Sequence, residues 1–266
     1  MILIGERLNS SRPEVRRALV ARDANYLIHQ ARLQEEAGAA YIDLNASALM
    51  EKEVEALRWA IPLLQENINI PLSLDTPEAL AMEEALRLHK GRPLLNSLTA
   101  EASRIRGLLP LIQVSKPRVI VLCLDDEGMP READRAVLIA ERMVEMLLRQ
   151  GLAEEDIFVD PLVRPMGVDA EAAVLFLSSL EKLKLRLPRV KTVAGLSNIS
   201  FGLPQRRLLN RTLLVLAMKS GLDAAICDPL DTELLAAHHA AAALLGHDPS
   251  LKNYLRFHRQ LRKPSA

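Results

Sequence analysis

Eight short apolar runs, each followed by a longer amphipathic stretch, set the strongest limit on what this chain can become. The runs are ILIGE (2–6), AYIDLN (40–45), PLSLD (71–75), PLLNS (93–97), RVIVLCL (118–124), DIFVD (156–160), TVAGLSN (192–198) and DAAICD (223–228). Runs of five to seven residues rich in Val, Ile and Leu have the length of buried strands. The stretches between them carry the three- and four-residue apolar spacing of helices. Such alternation builds βα units around a parallel sheet. Eight units in about 250 residues is the ordinary size of a closed (β/α)8 barrel, the TIM barrel. The chain therefore reads as an α/β protein with one barrel domain over 1–266, of which 247–266 forms a C-terminal helical extension.

Boundary signals fit this rhythm. Asp23 stands where an N-cap is needed for the stretch that ends before Gly38. Asp75-Thr76-Pro77-Glu78 combines a cap, a first-turn proline and a first-turn acid, and Gly151 closes the stretch 131–150. Within that stretch the apolar positions recur at helical spacing and leave Arg and Glu facing solvent. Residues 231–245 are almost all Ala and Leu, suited to packing on two sides. With only 3% aromatic residues, the core must be built from Leu, Ala, Ile and Val.

Charge narrows the partners. Lys plus Arg and Asp plus Glu number 34 each, so no global field favours a nucleic-acid backbone. Cys123 and Cys227 make no disulfide framework and suit a reducing compartment. No apolar run nears the roughly 18 residues of a membrane span and no signal peptide is visible, so a cytoplasmic, soluble protein is expected. The basic tail RFHRQLRKPSA reads as a solvated end.

Strand interiors carry few hydrogen-bonding side chains. At their C-terminal ends stand Glu6 and Asn9, Asp43 and Asn45, Asp75, Asn96, Asp160, Asn198 and Asp228. Taken singly, each has an ordinary explanation: Asp75 as a helix cap, Asp160 before Pro161 as a turn start, Asn96 and Asn198 as partners of loop backbone. In a barrel, however, all strand ends meet at the face where active sites lie. Carboxylates accept paired N–H bonds while an amide both donates and accepts, so the set suits a flat aminopyrimidinone edge. A phosphate would ask for a glycine-rich loop, and no GxGxxG or GxxxxGK[ST] follows a strand. The six histidines fall within or beside helical stretches, with no metal-binding spacing, so no bound metal is expected.

In order along the chain, IGERLN, DLN, LSLDT, LLNS, VDPL, GLSNIS and RRLLNRT closely resemble the methyltetrahydrofolate:corrinoid iron-sulfur protein methyltransferases and the folate domain of cobalamin-dependent methionine synthase. The resemblance runs from Ile2 to about Leu245. It implies a pterin-binding TIM barrel, usually a homodimer. It also implies transfer of the N5 methyl of methyltetrahydrofolate to the cob(I)amide of a separate corrinoid protein, in a reaction that can run either way. Carried over motif by motif, Asp75, Asn96 and Asp160 hold the pterin edge and Asn198 sits by N5; the catalytic pair is then Asn198, whose carbonyl accepts from N5–H, and Asp160, reached by the hydrogen-bond network that brings the proton from solvent. Arg206 falls at the motif's arginine, near substrate or corrinoid partner. Asp43, Asn45, Glu6 and Asn9 become floor and supporting groups, and Asp228 joins the network. The turn ASALM after DLN and the loop DDEGMPREADR depart from the family pattern.

Two rivals remain open to the sequence. A dihydropteroate synthase-like enzyme would share barrel and pterin pocket but needs an Asn-rich loop after strand 1 and a lysine after strand 7, which GERLNSSRPEV and GLSNISFGLP do not supply. A folate-binding module without turnover would keep the pterin residues and lose the chemistry.

Overall fold

A computed structural model describes residues 1–261. Its eight parallel strands close in sequence order, with β1 pairing both β2 and β8. They are β1 (Ile2–Asn9), β2 (Tyr41–Asn45), β3 (Leu72–Asp75), β4 (Leu94–Thr99), β5 (Arg118–Leu122), β6 (Ile157–Asp160), β7 (Lys191–Gly195) and β8 (Ala224–Cys227). Side chains alternate across a strand, so one set of each strand faces the barrel axis and the other faces the helices. The axial set packs as a layer of Ile4, Tyr41, Leu94, Ile120, Phe158, Val193 and Ala224. Two residues further along these strands the axial positions become Glu6, Asp43, Asn96 and Asp160. The change from an apolar plug to a polar mouth is thus written into the period-two pattern.

The outward set, including Ile42, Leu44, Leu72, Leu74, Val119, Val121 and Val159, joins the helix-facing core. That shell consists of α1 (Pro13–Ala21), α2 (Ala24–Glu36), α3 (Glu53–Gln65), α4 (Ala79–Leu88), α5 (Ala102–Ser115), α6 (Ala133–Arg149), α7 (Ala172–Arg186), α8 (Arg206–Lys219) and α9 (Thr232–Leu244). α6 buries Val137, Ile139, Ala140, Val144 and Leu147 along one stripe, as its spacing predicts. Each large aliphatic side chain removed from water stabilises the fold by about 1.5–3 kcal/mol before entropy is subtracted. Asp23 caps α2 by accepting from Tyr26 N at 3.1 Å.

Several boundaries differ from the sequence reading. The helix after Asp75 starts only at Ala79, with Glu78 at the cap position, so Asp75 remains a strand residue and caps nothing. β7 stops at Gly195, and Asn198 lies on the 3-10 turn Leu196–Ser200 instead of on the strand. β1 runs on to Asn9 through a bulge between Gly5 and Leu8. The Gln34 side chain of α2 fills that irregularity, accepting from Arg7 N at 3.0 Å, and a Cβ at Gly5 would collide with it. A final helix, α10 (Lys252–Leu261), follows. Its Phe257 stacks on His239 with ring centroids 4.6 Å apart, so the first part of the tail is packed and not simply solvated. Residues 262–266 of the basic tail lie outside the described residues.

Candidate functional site

The floor of the mouth is a hydrogen-bonded group spanning three adjacent strands. Asp43 on β2 accepts from Ser73 Oγ at 2.6 Å and from Asn96 Nδ2 at 3.0 Å. Asp75 on β3 accepts from Asn45 Nδ2 at 2.9 Å, and Asn45 Oδ1 is held in turn by Ser10 Oγ and by Ser47. In register, Asn45 lies opposite Asp75 and Asp75 opposite Asn96, which is why residues thirty apart in sequence touch. Burial raises both carboxyl groups above the usual carboxylate range. Asp75 is raised further by the charge of Asp43, and the contact between the two carboxyl groups raises Asp75 while partly offsetting the rise at Asp43. Two carboxyl groups this strongly coupled titrate as a pair.

Asp160, at the end of β6, is buried among apolar neighbours, and burial pushes it up to about 7. Backbone N–H groups of Leu162 (2.7 Å to Oδ1) and Gly195 oppose that shift. Glu6 is likewise pushed up to about 7 by burial, with Arg12 pulling it down and Asp228 pushing it up. Ser197 Oγ donates to Glu6 at 3.3 Å. Asp228 accepts from Arg7 Nη1 at 2.8 Å and from Leu230 N. Asn9 accepts from Ser11 N and sits opposite Asn45 across the strand pair. Asn198 is exposed, and its amide has no hydrogen-bond partner among the described residues; it lies over Gly195, which leaves room for it. Arg206, the first residue of α8, donates to Ser200 Oγ at 3.2 Å and Ser197 O at 2.9 Å, tying down the turn that carries Asn198.

Seven of the ten expected residues fall into two groups around the mouth, and Asn9, Asp160 and Asn198 belong to neither. Asp43, Asn45, Asp75 and Asn96 are joined directly by hydrogen bonds on β2 to β4. Glu6, Arg206 and Asp228 line a cleft of about 540 Å³ on the other side, whose walls do not include Asp75, Asn96 or Asp160.

Several contributors escaped the sequence reading. Ser73 carries the shortest bond to Asp43, yet a serine in a strand gives no signal of its own. Arg104, in the first turn of α5, donates to Thr76 O at 2.7 Å, to Ser97 O at 2.9 Å and to Pro77 O. One guanidinium thus fixes the backbone just after both Asp75 and Asn96. Glu53 at the start of α3 is buried with one oxygen unpartnered and with its carboxyl raised by burial. Cys123 and Cys227 are free and buried, and burial pushes both thiols far up. Among the described residues no three His, Cys, Asp or Glu group as a metal site, and no helix is long and apolar enough to cross a membrane.

The site is thus the mouth of a parallel eight-stranded barrel whose apolar plug gives way to carboxylates and amides, groups that can together accept and donate hydrogen bonds. The chain belongs to the family of pterin binding enzymes, whose pattern it matches over residues 5–228. It is 34% identical over 262 residues to the methylcorrinoid:tetrahydrofolate methyltransferase of Eubacterium limosum, covering 98% of this chain and 97% of that protein. It is 30% identical over 239 residues to methionine synthase of Mycobacterium tuberculosis, covering 85% of this chain but 20% of that longer protein. Among solved structures, dihydropteroate synthase of Yersinia pestis superposes with a TM-score of 0.72 at 16% identity, covering 92% of this chain and 93% of that one, a likeness of fold.

Proposed function

We propose that this chain transfers a methyl group between N5 of a tetrahydrofolate and the cobalt of a corrinoid carried by a partner protein. The observation that carries the reading is the bonded set Asp43, Asn45, Asp75 and Asn96 at the mouth of a barrel that matches a methylcorrinoid:tetrahydrofolate methyltransferase over nearly its whole length. The relative's name gives the direction from corrinoid to folate; the reverse passes through the same states.

Asp75, Asn96 and Asp160 take the aminopyrimidinone edge of the ring, carboxylate oxygens accepting N–H and the amide supplying both halves of its pattern. Asp43 holds Asn96 and Asn45 holds Asp75 in place from the floor, and Arg104 steadies the backbone after both. Removing a methyl cation from a tertiary amine would leave an expensive nitrogen anion, so N5 must carry a proton when its bond to carbon breaks. In the opposite direction the N5 lone pair takes the methyl, and the same protonated, methylated nitrogen is formed before its proton leaves. Asn198, exposed and unpaired, is free to accept from that N5–H through its carbonyl as positive charge develops. A carboxylate there would bind the proton too firmly in both directions. The chain needs no nucleophile of its own, and the partner reaches the methyl over the open mouth.

Mixing the pure protein with methyltetrahydrofolate and cob(I)alamin, and separately tetrahydrofolate with methylcob(III)alamin, tests the reading directly. The methylcobalamin absorbance is expected to rise in the first mixture and fall in the second; binding with no change in either cuvette overturns the enzyme.

The raised carboxyls make binding and stability respond oppositely to pH. Between the unfolded value near 4 and the folded value of about 7, Asp160 and Glu6 keep protons in the folded state that the unfolded chain has released. The unfolded state then binds fewer protons, so stability falls as pH rises through this window and levels off above it. An ionised Asp160 is the better acceptor for ring N–H, so pterin affinity rises with pH up to about 7, by at most about tenfold per unit. Thermal melts at pH 5 to 8.5 should show the unliganded midpoint falling while the stabilisation by added tetrahydropterin grows. A ligand-induced shift that shrinks with pH would contradict the assignment of Asp160 as an ionised acceptor.

A further inference from the structure

On the side of the mouth away from Asp75 and Asn96, the cleft of about 540 Å³ opens between the ends of β8 and β1 and the first turns of α8 and α9. Arg206, Arg207 and Arg211 look into it from α8; residues four apart on a helix share a face, so Arg207 and Arg211 stack one turn apart. Arg7 and Arg12 enter from the β1 side. Most of this positive charge is already matched. Arg7 pairs with Asp228 at 2.8 Å, Arg12 approaches Glu6 at 3.8 Å, and Arg211 holds Asp231 at 2.7 Å and also Glu233.

Two guanidiniums are left over. Arg206 donates only to the neutral oxygens of Ser200 and Ser197, and Arg207 has no hydrogen-bond or ion-pair partner among the described residues. Both are exposed at one end of the cleft, above an apolar floor that includes Leu196 and Leu230. Glu6, pushed up to about 7 by burial, supplies less than a full negative charge near neutrality. The surplus is therefore positive, and it lies beside Ser197, one residue from Asn198.

That placement follows a line across the mouth. With the ring placed as proposed above, its edge at β3, β4 and β6 and N5 towards Asn198 on the turn after β7, the remainder of the molecule would extend past Ser197 towards the end of β8, and Ser197, Cys227 and Asp228 line this cleft. Resting on the folate reading above, we propose that this cleft is an anion subsite for the carboxylates of the folate's glutamyl tail, with Arg207 its least committed cation and the benzoyl ring lying along the apolar floor. Guanidinium suits the task because its planar fork takes a carboxylate through two parallel bonds. A tail with more glutamates brings more carboxylates within reach of the same arginines.

The test titrates the whole protein with three ligands: 6-methyltetrahydropterin, which has no tail, monoglutamyl methyltetrahydrofolate, and its triglutamyl form. In low salt the triglutamyl form is expected to bind about tenfold tighter than the monoglutamyl form, and the gain should fade as salt screens the charges. Arg207→Glu should abolish or invert the gain, Arg207→Lys should keep most of it, and the tail-less pterin should bind both variants within about twofold of the wild-type chain. Equal binding of the two folates by wild type, or a gain that survives Arg207→Glu, overturns the tail subsite alone. Failure of the tail-less pterin and both folates to bind overturns the folate reading and the subsite with it.

Discussion

Replacing Asn198 by Ala should slow single-turnover methyl transfer by about 10²–10³-fold while the Kd for methyltetrahydrofolate stays within about threefold. The imbalance follows from where the amide stands. Asn198 is exposed on the turn Leu196–Ser200 and has no hydrogen-bond partner among the described residues, so its removal leaves no buried group unsatisfied. A substitution of that kind changes folding stability by no more than about 0.5 kcal/mol. Its interaction with N5 is weak while the nitrogen is an uncharged amine and strong when it becomes a protonated, methylated centre. Only interactions that strengthen on the way to the transition state accelerate the chemical step. Asn198→Asp supplies the complementary result: a fixed negative charge stabilises the proton on N5 in the ground state as well, so transfer should slow and acquire a new dependence on pH. Stopped-flow measurement of methylcobalamin appearance, alongside equilibrium titration of the folate, separates the two effects. An Asn198→Ala protein with wild-type transfer would remove the amide from the chemistry.

Much of this was legible in the chain because period-two alternation carries two messages at once. In β2, Tyr41, Asp43 and Asn45 share the axial face while Ile42 and Leu44 face the helices, so the same five letters announce a buried strand and its polar exit. The positions of Asp43, Asn96 and Asp160 could be read from that pattern with no knowledge of packing. Local propensity misled where tertiary contacts decide. Asp75-Thr76-Pro77-Glu78 is a strong helix start by composition, yet Asp75 faces Asn45 and Asp43 and takes a place in the floor, and the helix begins later. The run through Asn198 stays strand-like in composition, but the backbone turns at Gly195 and presents the amide from a 3-10 turn. Other contributors had no local signal. Arg104 is an ordinary first-turn arginine until folding brings Thr76 O and Ser97 O within its reach. The arginines of RRLLNRT looked like one motif; their division into paired Arg211 and unpaired Arg207 depends on Asp231 and Glu233, which arrive from another helix.

Changing Asp75 should do more harm to folate affinity than any other single substitution in the floor, and two variants can distinguish recognition from scaffolding. In Asp75→Ala the Asn45 amide loses its acceptor, and the buried Asp43 keeps only Ser73 and Asn96 as hydrogen-bond partners. An unsatisfied buried polar group costs about 1–3 kcal/mol, so this variant should melt at lower temperature as well as bind poorly. Asp75→Asn is different. Its amide can donate to Asp43 and its carbonyl can accept from Asn45, reproducing both internal bonds in nearly the same volume. The floor should then keep its stability to within about 1 kcal/mol. The ligand, however, meets an amide with one committed oxygen in place of a carboxyl group able to give up its proton and accept two ring N–H bonds. Loss of such charge-assisted bonds weakens binding by about 1.5–3 kcal/mol, roughly ten- to 150-fold in Kd. Calorimetric titration with methyltetrahydrofolate and a thermal melt of each variant read the two quantities independently. Wild-type affinity in Asp75→Asn would make Asp75 a strut for Asp43 and Asn45 and leave edge recognition to Asn96 and Asp160; weak binding with an intact melt assigns the carboxyl itself to the ring.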